Sequence, residues 1–154
     1  DLPRVLAYSK RMTVESYDSY FDLIPRLGES TMAINPELKC VENPPYCFIM
    51  YHDGEYRDHD IDIEFFEAVT GKGNGKLPDG VLFKTVEAVP HAACVLHKGP
   101  YSTLPQAYAA VYKWIEDNDY ISAESPRESY IDGIWNKKNP DDWLTELQVP
   151  VITQ

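Results

Sequence analysis

One acidic residue stands out for its position in the sequence. Glu146 lies within residues 143–151, a stretch that is apolar on both sides of it. A carboxylate that points into a dry interior must be protonated, paired with a charge or available to a positive ligand. On an exposed sheet face the same residue would be solvated, and the sequence leaves both orientations open. Glu146 is therefore a candidate for binding a cation.

Aromatic side chains supply a second kind of chemistry. The chain has 11 tyrosines and 3 tryptophans in 154 residues. Tyr101, Tyr130, Trp135 and Trp143 cluster around predicted loops and strands of the C-terminal half. Tyrosine and tryptophan combine a flat apolar surface with a polar tip, and their ring faces attract cations. Core packing explains any one of them equally well. Together with Glu146 they predict a site for planar cations.

Other motifs are weaker. Residues 71–76 resemble a phosphate-binding loop, but no helix follows that would hold a phosphate, so a flexible linker is the better interpretation. The acids and histidines between residues 52 and 64 do not have the spacing of a zinc motif and are expected to form a solvated turn. Ser102 has no nucleophile elbow around it. We expect structural roles for His91 and His97, and no metal or cofactor.

The elements that position these residues occur twice along the chain. The order strand, helix, strand, strand is predicted in each half, with hairpin-like connections that favour antiparallel pairing and the class α+β. In this alignment Glu64 corresponds to Glu146. We expect a single domain, 1–154, with repeat one at about 1–70, a linker at about 71–88 and repeat two at about 89–154. The strands are predicted at 4–9, 45–51, 62–69, 91–97, 127–131 and 143–151.

Both predicted helices begin near a proline. Pro25 and Pro105 each follow an N-cap candidate, Asp22 or Ser102, by three residues, and proline in a first helical turn loses no hydrogen bond. The second helix is expected to end near Asn118. Spacings of three and four place one set of residues on its buried face: Leu104, Ala107, Tyr108, Val111, Tyr112 and Ile115.

Composition and charge exclude several classes of protein. The net charge is −11, with 25 acidic and 14 scattered basic residues, so we expect no direct binding of nucleic acid by this chain. No stretch approaches the ~20 apolar residues that span a bilayer, and we expect no membrane partner. Cys40, Cys47 and Cys94 lack metal-site spacing and are expected to be buried free thiols in a reducing cytoplasm.

Several segments in order resemble the bacterial GyrI-like small-molecule-binding domains, also known as the AraC-type and MerR-type effector-binding domains of the SOUL/GyrI-like superfamily. The resemblance covers nearly the whole chain. Its motifs are individually loose, but their order and spacing together are fairly specific. The segments that carry it are 97–101, the helix from Ala107 to Trp114, 143–146 with Pro150, 45–53 and 62–64.

The resemblance implies two pseudo-symmetric βαββ repeats, a curved antiparallel sheet with helices on one side, and a central ligand groove. Family members bind bulky, often cationic aromatic compounds, with aromatic walls and a strand glutamate that Glu146 matches. The implied function is an effector or multidrug-sensing domain of a transcription regulator, or a stand-alone binder. The implied ligand-binding residues are Glu146, Trp143, Trp135, Tyr101, Tyr130, Tyr51 and Phe48.

Two alternative functions follow from the same resemblance. One is a hydrolase of cyclopropane-bearing or other reactive toxins, in which Glu146 would activate water and Tyr101 or Tyr130 would act as the acid. The other is a protein-binding module, as in gyrase-inhibitory relatives. A start on Asp1 leaves open whether a DNA-binding part is fused upstream.

Overall fold

A computed structural model of the chain describes residues 1–16, 19–42, 45–53, 59–133 and 136–154, with the backbone alone at Tyr20 and Phe21. Trp135 lies outside the described residues. The chain divides into two compact units, which we call the N-terminal unit (Arg4–Glu87) and the C-terminal unit (Ala88–Gln154 together with Asp1–Pro3). Neither helix in the described part of the chain has the length and apolar character needed to cross a membrane.

The N-terminal unit is an antiparallel sheet with one α-helix. Its strands pair in the order β5, β1, β4, β3, and β2 also pairs with β4. The elements are β1 (Val5–Val14), α1 (Tyr20–Ile34), β2 (Lys39–Cys40), β3 (Cys47–Tyr51), β4 (Ile61–Gly71) and β5 (Val81–Val86).

The C-terminal unit repeats this design. Its strands pair in the antiparallel order β8, β9, β6, and the short β7 pairs with the end of β9. The elements are β6 (Ala92–Lys98), α2 (Leu104–Asp117), β7 (Tyr120–Ser122), β8 (Arg127–Asp132) and β9 (Leu144–Thr153), with 3₁₀ turns at Tyr101–Thr103 and Pro140–Asp142.

The predicted class and element order are confirmed, because both units are α+β with antiparallel pairing. Three strands were not predicted: the short β2 and β7, and β5. Residues 81–86 were expected within the linker, but they form β5 and extend the sheet along β1. Only Val81 and Val86, at its two ends, are buried, so the segment lacks the strict alternation that predicts a strand.

The two helix starts also differ. Pro105 lies in the first turn of α2 as predicted, although the N-cap is Thr103 rather than Ser102. Helix α1 begins earlier than expected, at Tyr20, so Pro25 lies inside it and Asp22 lies in its first turn. Proline at that depth removes one helical hydrogen bond, because its nitrogen has no proton to donate to the carbonyl four residues earlier.

The packing of α2 decides which way each residue of β9 points. Leu104, Val111 and Ile115 of the helix pack against Leu147 and Val149 of the strand. Because side chains alternate along a strand, the odd-numbered residues of β9 share this helix-side face and the even-numbered residues lie on the opposite face.

The three cysteines are free thiols. The expectation that they are buried is wrong: Cys94 is exposed on β6, and Cys40 and Cys47 are only half-buried. Cys94 of β6 lies opposite Gln148 of β9 in the strand register. It therefore lies on the face of the sheet that α2 does not cover.

Candidate functional site

A buried carboxylate lies on the helix-side face of the C-terminal unit. Glu128 is opposite Leu147 in the pairing of β8 with β9, and only 4% of its surface is exposed. The Tyr130 hydroxyl donates a hydrogen bond to Glu128 Oε1 at 2.9 Å. The Tyr108 hydroxyl, from helix α2, donates to Glu128 Oε2. A strand and a helix thus each direct a phenol at one carboxyl group.

Aromatic rings adjoin this carboxylate. The Tyr101 ring centre lies 5.7 Å from that of Tyr130, in an edge-on arrangement, and 5.0 Å from that of Trp143. These separations are within the range of favourable aromatic pairs. Trp143 and Tyr130 are buried, whereas Tyr101 and Tyr108 are half-buried. We call Tyr101, Tyr108, Glu128, Tyr130 and Trp143 the aromatic site.

The turn after β6 positions Tyr101. The Gly99 N–H donates to the Trp143 carbonyl at 2.8 Å. Gly99 has φ +132°, which an L side chain rarely adopts. The Thr103 hydroxyl donates to the Pro100 carbonyl at 2.9 Å and lies 2.8 Å from His97 Nε2. These contacts close the 3₁₀ turn and hold the Tyr101 ring beside Trp143.

The chemistry available here is recognition of a positive charge on a flat molecule. Phenol donors stabilise a carboxylate, and a carboxylate in a low-dielectric setting attracts a cation more strongly than one in water. The electron-rich ring faces of tyrosine and tryptophan add to this attraction. The aromatic site therefore combines a negative group with stacking surfaces.

Comparison with known protein families identifies the family of the chain. The sequence model of the GyrI-like small-molecule-binding domain family matches residues 4–152. The chain belongs to this family. No curated protein sequence matches it.

Several solved structures are similar to this GyrI-like domain. It is similar to the C-terminal domain of EcmrR, with 45% identity, TM-score 0.88 and coverage of 99% of this chain and 94% of that one. EcmrR in complex with DNA matches with 44% identity and TM-score 0.91 over 99% of this chain, which spans 56% of that EcmrR chain. A Listeria innocua hydrolase encoded by lin2189 shares 13% identity and TM-score 0.65, over 98% and 89% of the chains, and shows the fold alone.

Glu146 of the GyrI-like domain does not point toward the aromatic site. It lies on the face of β9 opposite Trp143, and it pairs with Leu96 and Ser129 on the neighbouring strands. Gln148 Nε2 donates to Glu146 Oε1 at 2.7 Å. Glu146 is half-buried. The predicted role of Glu146 in ligand binding stays a prediction.

The other predicted residues divide between the units. Tyr101, Tyr130 and Trp143 come together in the aromatic site. Phe48 and Tyr51 lie on β3 of the N-terminal unit, on opposite faces of that strand because they are three residues apart. Phe48 is fully buried and stacks on Phe66 with 4.8 Å between ring centres.

Sequence reasoning missed Glu128 and Tyr108. A signal for Glu128 was present, because Glu128 and Tyr130 are two residues apart in a predicted strand and must share a face. Tyr108 was predicted on the buried face of α2, but only as a core residue. Pairing the two required the packing of α2 on the sheet.

The acidic stretch of the N-terminal unit is held by internal pairs. Glu64 accepts hydrogen bonds from Ser9 Oγ at 2.7 Å and Lys84 Nζ at 2.8 Å, and His52 Nε2 lies 3.0 Å away. Burial raises the pKa of Glu64, but the hydrogen bonds from Lys84, Ser9 and His52 together outweigh it and lower the pKa. Asp62 pairs in the same way with Arg11, at 2.8 Å.

Glu67 is a half-buried acid of the N-terminal unit. It lies on β4 between Tyr8 of β1 and Cys47 of β3. Burial raises the pKa of Glu67 to about 7. Its Oε2 atom has no hydrogen-bond partner among the described residues. The N-terminal unit therefore has one buried acid, Glu64, that is paired, and one half-buried acid, Glu67, whose pKa is raised to about 7.

Proposed function

We propose that this GyrI-like domain binds bulky, planar, cationic aromatic compounds at the aromatic site of its C-terminal unit. The observation that carries the proposal is Glu128, a buried carboxylate that accepts hydrogen bonds from Tyr108 and Tyr130. The rings of Tyr101 and Trp143 extend the site with apolar surface. A cation that stacks on these rings brings its charge to Glu128.

Access to Glu128 requires a side chain to move. Tyr101 is the best placed to do so, because it is half-buried and is carried by a short 3₁₀ turn rather than by a strand. A planar ligand that replaces the Tyr101 ring inherits its contacts with Tyr130 and Trp143. Ligand binding is then an exchange of one aromatic ring for another, with the added attraction of charge.

The proposed role of this binding is effector sensing for a transcription regulator. The likeness to the C-terminal domain of EcmrR, and to EcmrR bound to DNA, supports this role. Sensing requires a ligand with different affinities for two arrangements of the whole protein. Displacement of Tyr101 supplies such a difference, since the turn at Gly99–Thr103 would have to change with it.

The test is a fluorescence titration of a rhodamine-type cationic dye against three proteins. Glu128→Gln keeps the size of the side chain and removes its charge. We expect it to weaken dye binding by on the order of 1–3 kcal/mol, because charge-assisted contacts contribute about that much. Wild-type protein gives the reference affinity.

Glu146→Gln is the matched control, since it makes the same change on the opposite face of β9. We expect it to leave dye affinity within about twofold of wild type. Circular dichroism of each variant checks that the fold is intact. If Glu146→Gln weakens binding and Glu128→Gln does not, the cation binds beside Glu146, as the sequence predicted, and the aromatic site is not the receptor.

A further inference from the structure

Thr145 is a fully buried polar residue in the middle of the helix-side face. On β9 it lies opposite Tyr130 of β8 and opposite His97 of β6. Trp143 precedes it by two residues and shares its face. Thr145 therefore lies between two rings of the aromatic site, at a position that the sequence did not mark as functional.

The hydroxyl of Thr145 has no hydrogen-bond partner among the described residues. A buried hydroxyl without a partner is costly, and an apolar side chain of the same shape would avoid that cost. The N-terminal unit shows such a replacement. When Glu64 is aligned with Glu146, Ile63 stands at the position of Thr145 and is equally buried. The strand itself does not require a polar residue here.

We propose that Thr145 Oγ1 accepts a hydrogen bond from an N–H group of the ligand and thereby selects planar cations with N–H groups over fully alkylated ones. This inference rests on the proposed function of the aromatic site. Thr145 determines specificity among cationic ligands, and Glu128 supplies the negative charge that attracts them.

The surroundings of Thr145 favour an N–H donor on the ligand. The Tyr101 ring contacts both Tyr130 and Trp143, so a ligand in its place lies across the position of Thr145. Glu128 is the diagonal neighbour of Thr145 across β8 and β9, at a separation of roughly 7–8 Å between such positions. Both groups accept hydrogen bonds. A cationic aromatic amine presents donors to both from one flat ring system.

The experiment compares two cationic rhodamine methyl esters, one with free amino groups and one with dimethylated amino groups. Each is titrated against wild type, Thr145→Val and Thr145→Ser. We expect Thr145→Val, which keeps the side-chain shape, to weaken the free-amino dye by roughly tenfold and to leave the dimethylated dye within about twofold. Thr145→Ser keeps the hydroxyl and should retain the wild-type preference.

The ratio of the two affinities is the deciding measurement, because a merely structural hydroxyl would not change it. Equal weakening of both dyes by Thr145→Val, or no change in either, would overturn the role of Thr145 while the proposed function stands. Failure of wild type to bind either dye would instead remove the proposed function. The urea midpoint of Thr145→Val is expected to rise, which also shows that the variant folds.

Discussion

The two units place different side chains at equivalent strand positions. Glu64 and Glu146 correspond, and the strand registers then put Ile49 where the C-terminal unit has Glu128. Ile49 is fully buried. The N-terminal unit therefore has an apolar core residue at this position, and the C-terminal unit has a carboxylate that accepts hydrogen bonds from tyrosine hydroxyls. The two units thus share a scaffold, and the difference between Ile49 and Glu128 helps to distinguish the unit that carries the candidate site.

The acids of the two units also differ in their partners. In the N-terminal unit, Glu64 contacts Lys84, Ser9 and His52. In the C-terminal unit, Glu128 accepts hydrogen bonds from the phenols of Tyr108 and Tyr130. A phenol donor stabilises a carboxylate without adding a positive charge, whereas an ammonium partner such as Lys84 offsets the negative charge of Glu64.

The largest effect is expected from the titration of Glu67, which should make the stability of the protein depend on pH. The pKa of Glu67 is about 7 in the folded protein against 4.5 for the ordinary group. As pH rises from about 4.5 to about 7 the unfolded chain loses this proton first, so stability falls by up to about 3 kcal/mol. Glu67→Gln does not titrate. Urea unfolding is measured at about pH 5 and about pH 8. The stability of Glu67→Gln relative to wild type should rise by up to about 3 kcal/mol from the lower to the higher pH.

Glu87→Gln is the control for the Glu67 measurement. Glu87 is an exposed partner of Arg4, so its replacement should change stability by only a few tenths of a kcal/mol at either pH. A pH-independent difference between wild type and Glu67→Gln would show that Glu67 is ionised in the folded protein at both pH values.

A smaller effect is expected from removing the partner of Glu64. Lys84→Met should destabilise the fold by about 1–2 kcal/mol in urea unfolding, since the half-exposed ammonium contributes less than a buried one. Arg11→Met, which breaks the pair of Arg11 with Asp62 at the surface, should lose less stability than Lys84→Met. Dye affinity should not change in either variant. Equal losses of stability in Lys84→Met and Arg11→Met would contradict the distinction between the buried Glu64 and the more exposed Asp62.

The smallest expected effect concerns the thiols. Cys94 is exposed, whereas Cys40 is half-buried and burial raises its pKa to about 11. Iodoacetamide should therefore modify Cys94 first, as read by peptide mass spectrometry. The pKa of Cys94 is itself raised, by burial and then by Glu146. Glu146→Gln should speed its modification a few-fold, and an unchanged rate would place Glu146 away from Cys94.

Local patterns determined much of the fold in advance. The face of α2 that contains Leu104, Val111 and Ile115 follows from spacings of three and four, and these residues are buried, whereas Tyr112 of the same predicted face is exposed. The repeated order of strands and helices is also written in the sequence. Strand β5 and the start of α1 were missed, because the first lacks alternation and the second precedes the proline that seemed to mark it.

The sequence by itself determined the family, the α+β class and the aromatic residues of the C-terminal unit. Only the tertiary structure decided which acid accompanies them. Glu128 and Glu146 both lie in strands, and alternation alone does not say which face α2 covers. That choice depends on the packing of α2 against Leu147 and Val149 and on the register of β8 with β9. These are contacts between distant residues, which local spacing cannot encode.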